Sequence, residues 1–578
     1  MVSSPNFTSN RRLLWLLALA AVLRLVIGLD VWAHDPTASA LLSDSLYYRD
    51  WATALSGGAA FPHEGARLAY WMPPLYAHIL SWLAASTAAM LIVQAAAGLV
   101  TTLLVVRIGE ALFEGEPSAR TAALAGGLIW TLYGPVIFFE GRLLGATFAT
   151  LLAALALLSA LAWRKSARPQ QLIILGLALG LLSLIRPNTL LAIPALGAWL
   201  LWIARREPSK LAGLRHVAWM LAPALLALSP ATVHNLRATG SLVPVTVNGG
   251  VNFYFGNNPE SHGTFHAPGI EWGAITAQRE TARLGAASGL ALPAASVDDP
   301  RASRFWFGRG LDFLTDEPAA ALKLYGLKAA DLVSSTEFGI QYNFSAARTR
   351  APSLWLVSLP FGLVLALAAL GLRRRHAPLL LAWLGAGALS ALLYFTYSRF
   401  RLPLLPILIP FAGLGLVRLL NRAATAKSLT VAAALLALSF IPFEGTYPRH
   451  LKSHALADMA AALPSEPATR AERTELLDAA LALVPGNKPA LTSRALLALE
   501  ARDPKLALAK LEAAAALAVD YPTAEFELAR LLATTPDTSR RDPARAAQIV
   551  SDWLASHAAD HPAAPSFQQL AQALAGNL

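Results

Sequence analysis

The chain contains no cysteine, which excludes a disulfide framework, Cys-ligated zinc and a thiol redox centre. Charge is scarce as well. Only 14% of the 578 residues are Asp, Glu, Lys or Arg, against 55% hydrophobic, and the mean hydropathy is +0.48. That composition excludes an ordinary soluble enzyme. There is no His-Glu-x-x-His motif, no Gly-rich Lys loop and no Gly-x-Ser-x-Gly elbow, so the usual sequence marks of metalloprotease, P-loop and serine-hydrolase chemistry are missing. His34-Asp35 and His63-Glu64 are the His–carboxylate neighbours ahead of residue 73. Adjacent residues rarely point at one ion, so they make a poor metal site.

What the chain has is long apolar runs. A bilayer crossing needs about 20 such residues. The pattern predicts about eleven crossings, near 13–31, 88–112, 120–139, 143–163, 170–186, 189–204, 216–236, 353–372, 377–397, 402–420 and 428–445. The run 74–86 is short for a span. If it crossed, the basic loops that follow would fall on the wrong side, so it is expected to be re-entrant or interfacial. The net charge of +11 does not point to nucleic acid, because much of it sits in short loops between spans, where positive-inside bias places it. Those loops carry Arg11 and Arg12, Arg107 and Arg120, Arg164 to Arg168, Arg205 to Arg215, Arg373 to Arg375, and Arg418 to Lys427. The bias predicts a cytoplasmic N-terminus over 1–12, a membrane domain over 13–446 with outer loops at 32–73 and 237–352, and an extracytoplasmic C-terminal region. Arg24 lies inside the first span, where a charge reads either as functional or as snorkelling.

The same topology strands Arg142, Arg186, Arg399 and Arg401 on the outer face. Carboxylates gather there too. In Ser43-Asp44-Ser45-Leu46-Tyr47-Tyr48-Arg49-Asp50-Trp51, Ser43 and Asp44 are helix-starting residues. Tyr47, Trp51 and Leu55 recur on one helical face, as suits a helix at the membrane–water boundary. Glu140 stands beside Arg142, and Asn188 beside Arg186. The segment Asn248–Pro259, with Asn257 among its polar residues, is dense in Gly, Asn and Pro and is expected to form tight turns. From about residue 447 the chain turns Ala- and Leu-rich, with helical stretches punctuated by Pro485, Pro522 and Pro562. The pattern predicts a loosely tetratricopeptide-like helical-repeat domain over 447–578, expected to be a platform for a protein partner.

Arginines at a membrane surface bind phosphate through a two-pronged fork. A carboxylate facing them suits a general base, and aromatic faces suit sugar rings and lipid stems. Together these fit transfer from a lipid-linked phosphosugar. A phosphate leaving group needs charge stabilisation rather than a general acid, which leaves deprotonation of an acceptor hydroxyl to a carboxylate.

Three stretches, Asp44-Ser45-Leu46-Tyr47-Tyr48, Pro73-Pro74-Leu75-Tyr76 and Ser398-Arg399-Phe400-Arg401-Leu402-Pro403, resemble the GT-C membrane glycosyltransferases. Among these they look like glycosyltransferase family 39, which includes protein O-mannosyltransferases and aminoarabinose transferases. The resemblance implies an all-α polytopic bundle, a polyprenyl-phosphate-sugar donor, a protein, lipid or glycan acceptor, inverting transfer on the extracytoplasmic side of a bacterial inner membrane, and Asp44 as the catalytic carboxylate, acting as base. Arg399, Arg401, Arg186, Arg142, Glu140, Tyr47, Tyr76 and Asn257 are the candidate donor-binding residues beside it. Many relatives carry Asp-Glu where this chain has Asp44-Ser45, and an acid where it reads Leu143-Leu144-Gly145-Ala146-Thr147, which leaves sugar, acceptor and any divalent-metal requirement open. The competing readings are a flippase for lipid-linked sugars, which predicts ionisable residues deep in many spans, and a membrane scaffold for the repeat domain.

Overall fold

The computed structural model describes residues 7–61, 68–209, 211–263, 270, 275–337, 339, 341–441, 447–517, 521–557 and 563–577. His63 and Glu64 lie outside the described residues. The architecture is all-helical and polytopic. Among the described residues the sole β-type pairing is an isolated bridge between Tyr133 and Ser358.

Seven helices among the described residues are long and apolar enough to cross a membrane: Asn10–His34, Thr87–Leu112, Ala146–Ser166, Pro187–Ala204, Ala212–Thr239, Arg374–Leu393 and Ser398–Leu420. Each overlays an expected crossing. The other four expected crossings are helical but shorter or broken. Pro169–Ile185, Phe361–Gly371 and Ala426–Ser439 are short apolar helices. The expected 120–139 span is split into Ala119–Leu132 and Gly134–Glu140, because Tyr133 is extended (φ −86°, ψ 93°) and Pro135 lies in the first turn of the second piece. Phe361–Gly371 starts late because Pro360 precedes it and 352–357 is 3-10 helix. Pro74–Trp82 has nine residues. At 1.5 Å each that is about 14 Å, under half of the roughly 30 Å hydrocarbon layer, so it does not cross by itself.

In lipid there is no hydrophobic drive between helices, so close approach at small residues holds the bundle. A Cβ at Gly176 would collide with the carbonyl of Met220, and one at Gly180 would lie 2.7 Å from that of Ala224. This joins Pro169–Ile185 to Ala212–Thr239. Gly371 and Gly415 do the same reciprocally, facing the carbonyls of Phe411 and Leu367.

The outer segments pack above the bundle around Trp71, Tyr254, Phe255, Trp306 and Tyr397. The expected turns at 248–259 form at its two ends, at Asn248 and over 257–259, while the middle is an eight-residue helix, Gly249–Gly256. Two of its three glycines serve packing rather than turning: a Cβ on Gly250 would strike the carbonyl of Ser303, and one on Gly256 that of Tyr394. Beyond residue 446, helices Tyr447–Ala462, Arg470–Leu483, Lys488–Glu500, Pro504–Ala515, Pro522–Thr534, Pro543–Ser556 and Ala564–Asn577 each pack on the next in sequence. Asp503 and Asp542 start two of them, accepting from the amides of Leu506 and Arg545 with proline following. Proline's missing N–H and fixed φ suit that position. The first of these helices belongs to two cores: Leu451 joins the outer-loop cluster, while Leu456, Met459 and Ala460 pack with Leu476 and Leu477.

Candidate active site

Asp44, Arg186 and Arg399 come together on one cavity of about 480 Å³, a volume within the range of small-molecule sites. Asp44 is the first residue of helix Asp44–Ser56. Ser43 before it has φ +37° and makes no side-chain cap, a strained conformation for a residue with a Cβ. The Asp44 carboxylate turns to other partners than its own helix. It accepts from Arg399 Nη2 at 3.1 Å and from Gln341 Nε2 at 2.9 Å, and both charged side chains are largely buried, at 14% and 15% exposure.

Arg186 sits at the turn between Pro169–Ile185 and Pro187–Ala204. Its guanidinium stacks on Phe400 at 4.5 Å, with Arg399 over the same ring at 5.6 Å. Among the described residues the Arg186 side chain has no hydrogen-bond acceptor and no ion-pair partner. Two cations thus share one aromatic ring, and one of them has its fork unused. The rest of the wall is mostly apolar or neutral, including Leu42, Met72, Ile185, Leu190, Val245 and Phe395. Burial and the neighbouring Asp44 charge push the Tyr48 phenol well above its ordinary value, so Tyr48 lines the cavity as a neutral hydroxyl.

The other candidates are committed elsewhere. Glu140 does not reach the cavity. It is held by Arg24, with Nε to Oε2 at 2.7 Å and Nη2 to Oε1 at 2.9 Å, both side chains almost fully buried. That pair also explains the charge inside the first span. Arg142 is ion-paired with Asp35 and stacked on Phe138 at 4.5 Å. Arg401 bonds the Ser334 carbonyl at 2.6 Å and Glu337 at 2.7 Å, which in turn accepts from the Tyr133 hydroxyl at 2.7 Å. Two residues after Arg399, this anchor fixes the short helix Ser398–Arg401 that aims Arg399. Tyr76 donates to Gln94 at 2.8 Å, and Gln94 Nε2 bonds the carbonyls of Glu140 and Arg142. Asn257 donates to the carbonyls of Phe253 and Leu393 and accepts from buried Lys328 at 3.0 Å. Tyr47 packs edge-on to Trp51 at 5.9 Å. Trp51 is 1% exposed and donates to the Ala60 carbonyl, so the aromatic face of this helix is core rather than membrane surface. Burial pushes the Tyr47 phenol up to about 12.

Gln341 and Asp458 also line the cavity and carried no signal in the sequence. Gln341 bridges Asp44 and Arg399, the latter at 3.4 Å. Among the described residues no group of three or more His, Asp or Glu side chains could hold a metal ion.

No protein-family model matches the chain, and no curated protein matches it. Solved structures do. One is the archaeal oligosaccharyltransferase AglB from Archaeoglobus fulgidus in complex with an inhibitory peptide and a dolichol-phosphate, at TM-score 0.40 and 15% identity, covering 82% of this chain and 58% of that one. Another is the Archaeoglobus fulgidus oligosaccharyltransferase tethered with an acceptor peptide containing the NVT sequon, at TM-score 0.38 and 15% identity, covering 81% and 57%. The chain therefore spans less than two thirds of the length of those enzymes.

Proposed function

We propose that the chain is an integral membrane glycosyltransferase that moves a sugar from a polyprenyl-phosphate-linked donor to a hydroxyl acceptor on the extracytoplasmic face, with inversion. The observation that carries this reading is the wall of the cavity where Asp44 faces Arg186 and Arg399, with apolar lining around it. Such a wall matches a molecule with a phosphate, a polar group and a hydrocarbon tail.

The chemistry follows from the partners. In the resting site Asp44 is tied to Arg399, while Arg186 has its fork unused. A donor phosphodiester adds its negative charge between the two guanidiniums. Arg399 then divides its donors between phosphate and Asp44, which loosens the carboxylate. The acceptor hydroxyl gives its proton to Asp44 as its oxygen bonds the anomeric carbon from the side opposite the phosphate. The bond from that carbon to the phosphate oxygen breaks, and the electron pair leaves on the phosphate. The charge that develops there meets the two guanidiniums, which are already in place, and fixed charges of this kind stabilise a transition state without reorganising. Gln341 holds both Asp44 and Arg399 in register.

The test uses purified protein in detergent with farnesyl methyl phosphate, a short phosphodiester lipid. Saturable binding that falls in Arg186→Gln and Arg399→Gln supports the reading. Binding that neither variant changes refutes it.

A further inference from the structure

The cavity is not built by the membrane domain alone. Helix Tyr447–Ala462, the first beyond residue 446, supplies Asp458 to its lining. The helix is fixed there from two sides, by Leu451 in the outer-loop core and by Ala455 to Ala460 packed with Ala346. It touches the segment Pro36–Ser39, the short helix Phe344–Ala347 and the next two helices of the repeat domain.

Asp458 is partly buried, and among the described residues it has no hydrogen bond and no ion pair. Among the described residues most charges on the elements around it are ion-paired, and Arg186, Arg348 and Glu475 are not. Asp35 pairs with Arg142, Arg350 with Glu472, Arg473 with Glu500, Arg494 with Asp478, and Lys488 with Glu525. Arg348 stacks on Trp355. Across the cavity Arg399 pairs with Asp44, and Arg186 lies against Phe400. On its own helix, Arg449, His450, Lys452 and His454 all precede it, and none is within ion-pair distance. A carboxyl withdrawn from water without a partner favours its neutral form, and burial raises Asp458 to about 7. It is the second carboxyl of a cavity that already contains Asp44.

We propose that Asp458 makes the repeat domain a wall of the substrate cavity and is its proton-exchanging contact with the anionic lipid, taking up a proton as the phosphate binds. The inference rests on the reading of the cavity as a lipid-phosphate site. The reciprocity is thermodynamic. If a bound phosphate disfavours the ionised carboxyl, the ionised carboxyl weakens phosphate binding by the same factor.

The experiment measures binding of farnesyl methyl phosphate to the full-length protein in detergent at pH 6, 7 and 8. This probe keeps one charge through that range. A bound phosphate that raises Asp458 by one further pKa unit weakens wild-type binding about fivefold from pH 6 to pH 8, since one unit is a tenfold change in the proton equilibrium. In Asp458→Asn the dependence flattens to within twofold. A second measurement uses the absence of cysteine: Asp458→Cys carries the chain's single thiol. Its labelling by a charged methanethiosulfonate reagent is expected to slow at least fivefold with the probe bound, and Arg186→Gln is expected to abolish that protection at the same probe concentration. Equal pH dependence in wild type and Asp458→Asn, or labelling indifferent to a probe that does bind, overturns this proposal alone. A wild-type protein that does not bind the probe overturns the underlying reading together with it.

Discussion

Replacing Arg186 with Gln separates a ligand-binding arginine from a structural one. Its guanidinium bonds no acceptor among the described residues and stacks on Phe400 at 4.5 Å. Removing it strands no charge. The fold loses at most a cation–π contact of about 0.5–2 kcal/mol and sheds some repulsion from Arg399, so thermal stability in detergent should change little. Binding should suffer far more. A hydrogen bond to a charged group is worth about 1.5–3 kcal/mol, and 1.4 kcal/mol is tenfold in affinity, so farnesyl methyl phosphate should bind roughly 10- to 150-fold more weakly. Arg186→Lys keeps the charge but not the fork and should fall between the two. Arg401→Gln is the opposite case. It leaves Glu337 buried without its cation, a loss of about 3–5 kcal/mol, and should lower the melting temperature sharply. Isothermal titration calorimetry and thermal unfolding on the three variants give both axes. If Arg186→Gln binds the lipid within threefold of wild type, Arg186 is not a phosphate ligand.

Other outcomes follow from the same geometry. Glu140→Gln leaves Arg24 without its partner in the first span and should reduce the yield of inserted protein, while the folded fraction keeps its turnover; a folded, inactive variant would mean Glu140 acts in the chemistry. Truncation after residue 485 keeps helix Tyr447–Ala462 in place and should preserve lipid binding, whereas truncation after residue 446 removes Leu451 and Asp458 from their sites and should abolish it; size-exclusion profiles and binding of the two shortened proteins decide. Lys328 is buried, donates to Asn257 and the Leu392 carbonyl, and burial pulls its ammonium down to about 7. The unfolded chain then binds more protons than the folded one between about pH 7 and the ordinary lysine value near 10.4, so this residue makes stability rise with pH across that window. A wild-type melting temperature that rises from pH 7 to 9 and a Lys328→Met variant that lacks this rise are expected; equal slopes would contradict it. Gly371→Val should disrupt insertion by forcing a side chain into the Phe411 carbonyl, read as loss of monodisperse protein.

The helical bundle was legible because lipid imposes one long-period signal, the apolar run. Where the structure departs from it, proline and an extended residue interrupt the helix without lowering hydrophobicity, as at Tyr133 and Pro360. Asp44, Arg186 and Arg399 could be read because charge on the basic-poor face stands out. The same signal also picked Glu140, Arg142 and Arg401. A sequence shows where a charge lies along the chain but not that Arg24, Asp35 or Glu337 waits for it in space. Gln341 sits in a long outer segment with no periodicity to orient it. Asp458 lies in an Ala-rich helix whose own sequence reads as part of the repeats, and the packing of Leu451 in the outer-loop core and of its neighbours on Ala346 brings it to the cavity. The glycines of 249–256 suggested turns because glycine serves both turning and close packing, and sequence alone does not distinguish the two.

The central claim is that Asp44 takes the acceptor proton. Asp44→Asn keeps the shape, retains one acceptor oxygen where the carboxylate uses two, for Gln341 and Arg399, and removes the base. General-base catalysis contributes about 10²–10⁴-fold. The direct measurement is turnover of a polyprenyl-phosphate-sugar together with lipid-phosphate affinity on the same preparation of Asp44→Asn. The account predicts a folded protein that binds the lipid at least as tightly as wild type, because Arg399 is released toward the phosphate, and that turns over at least a hundredfold more slowly. A variant that keeps turnover within threefold of wild type would contradict it.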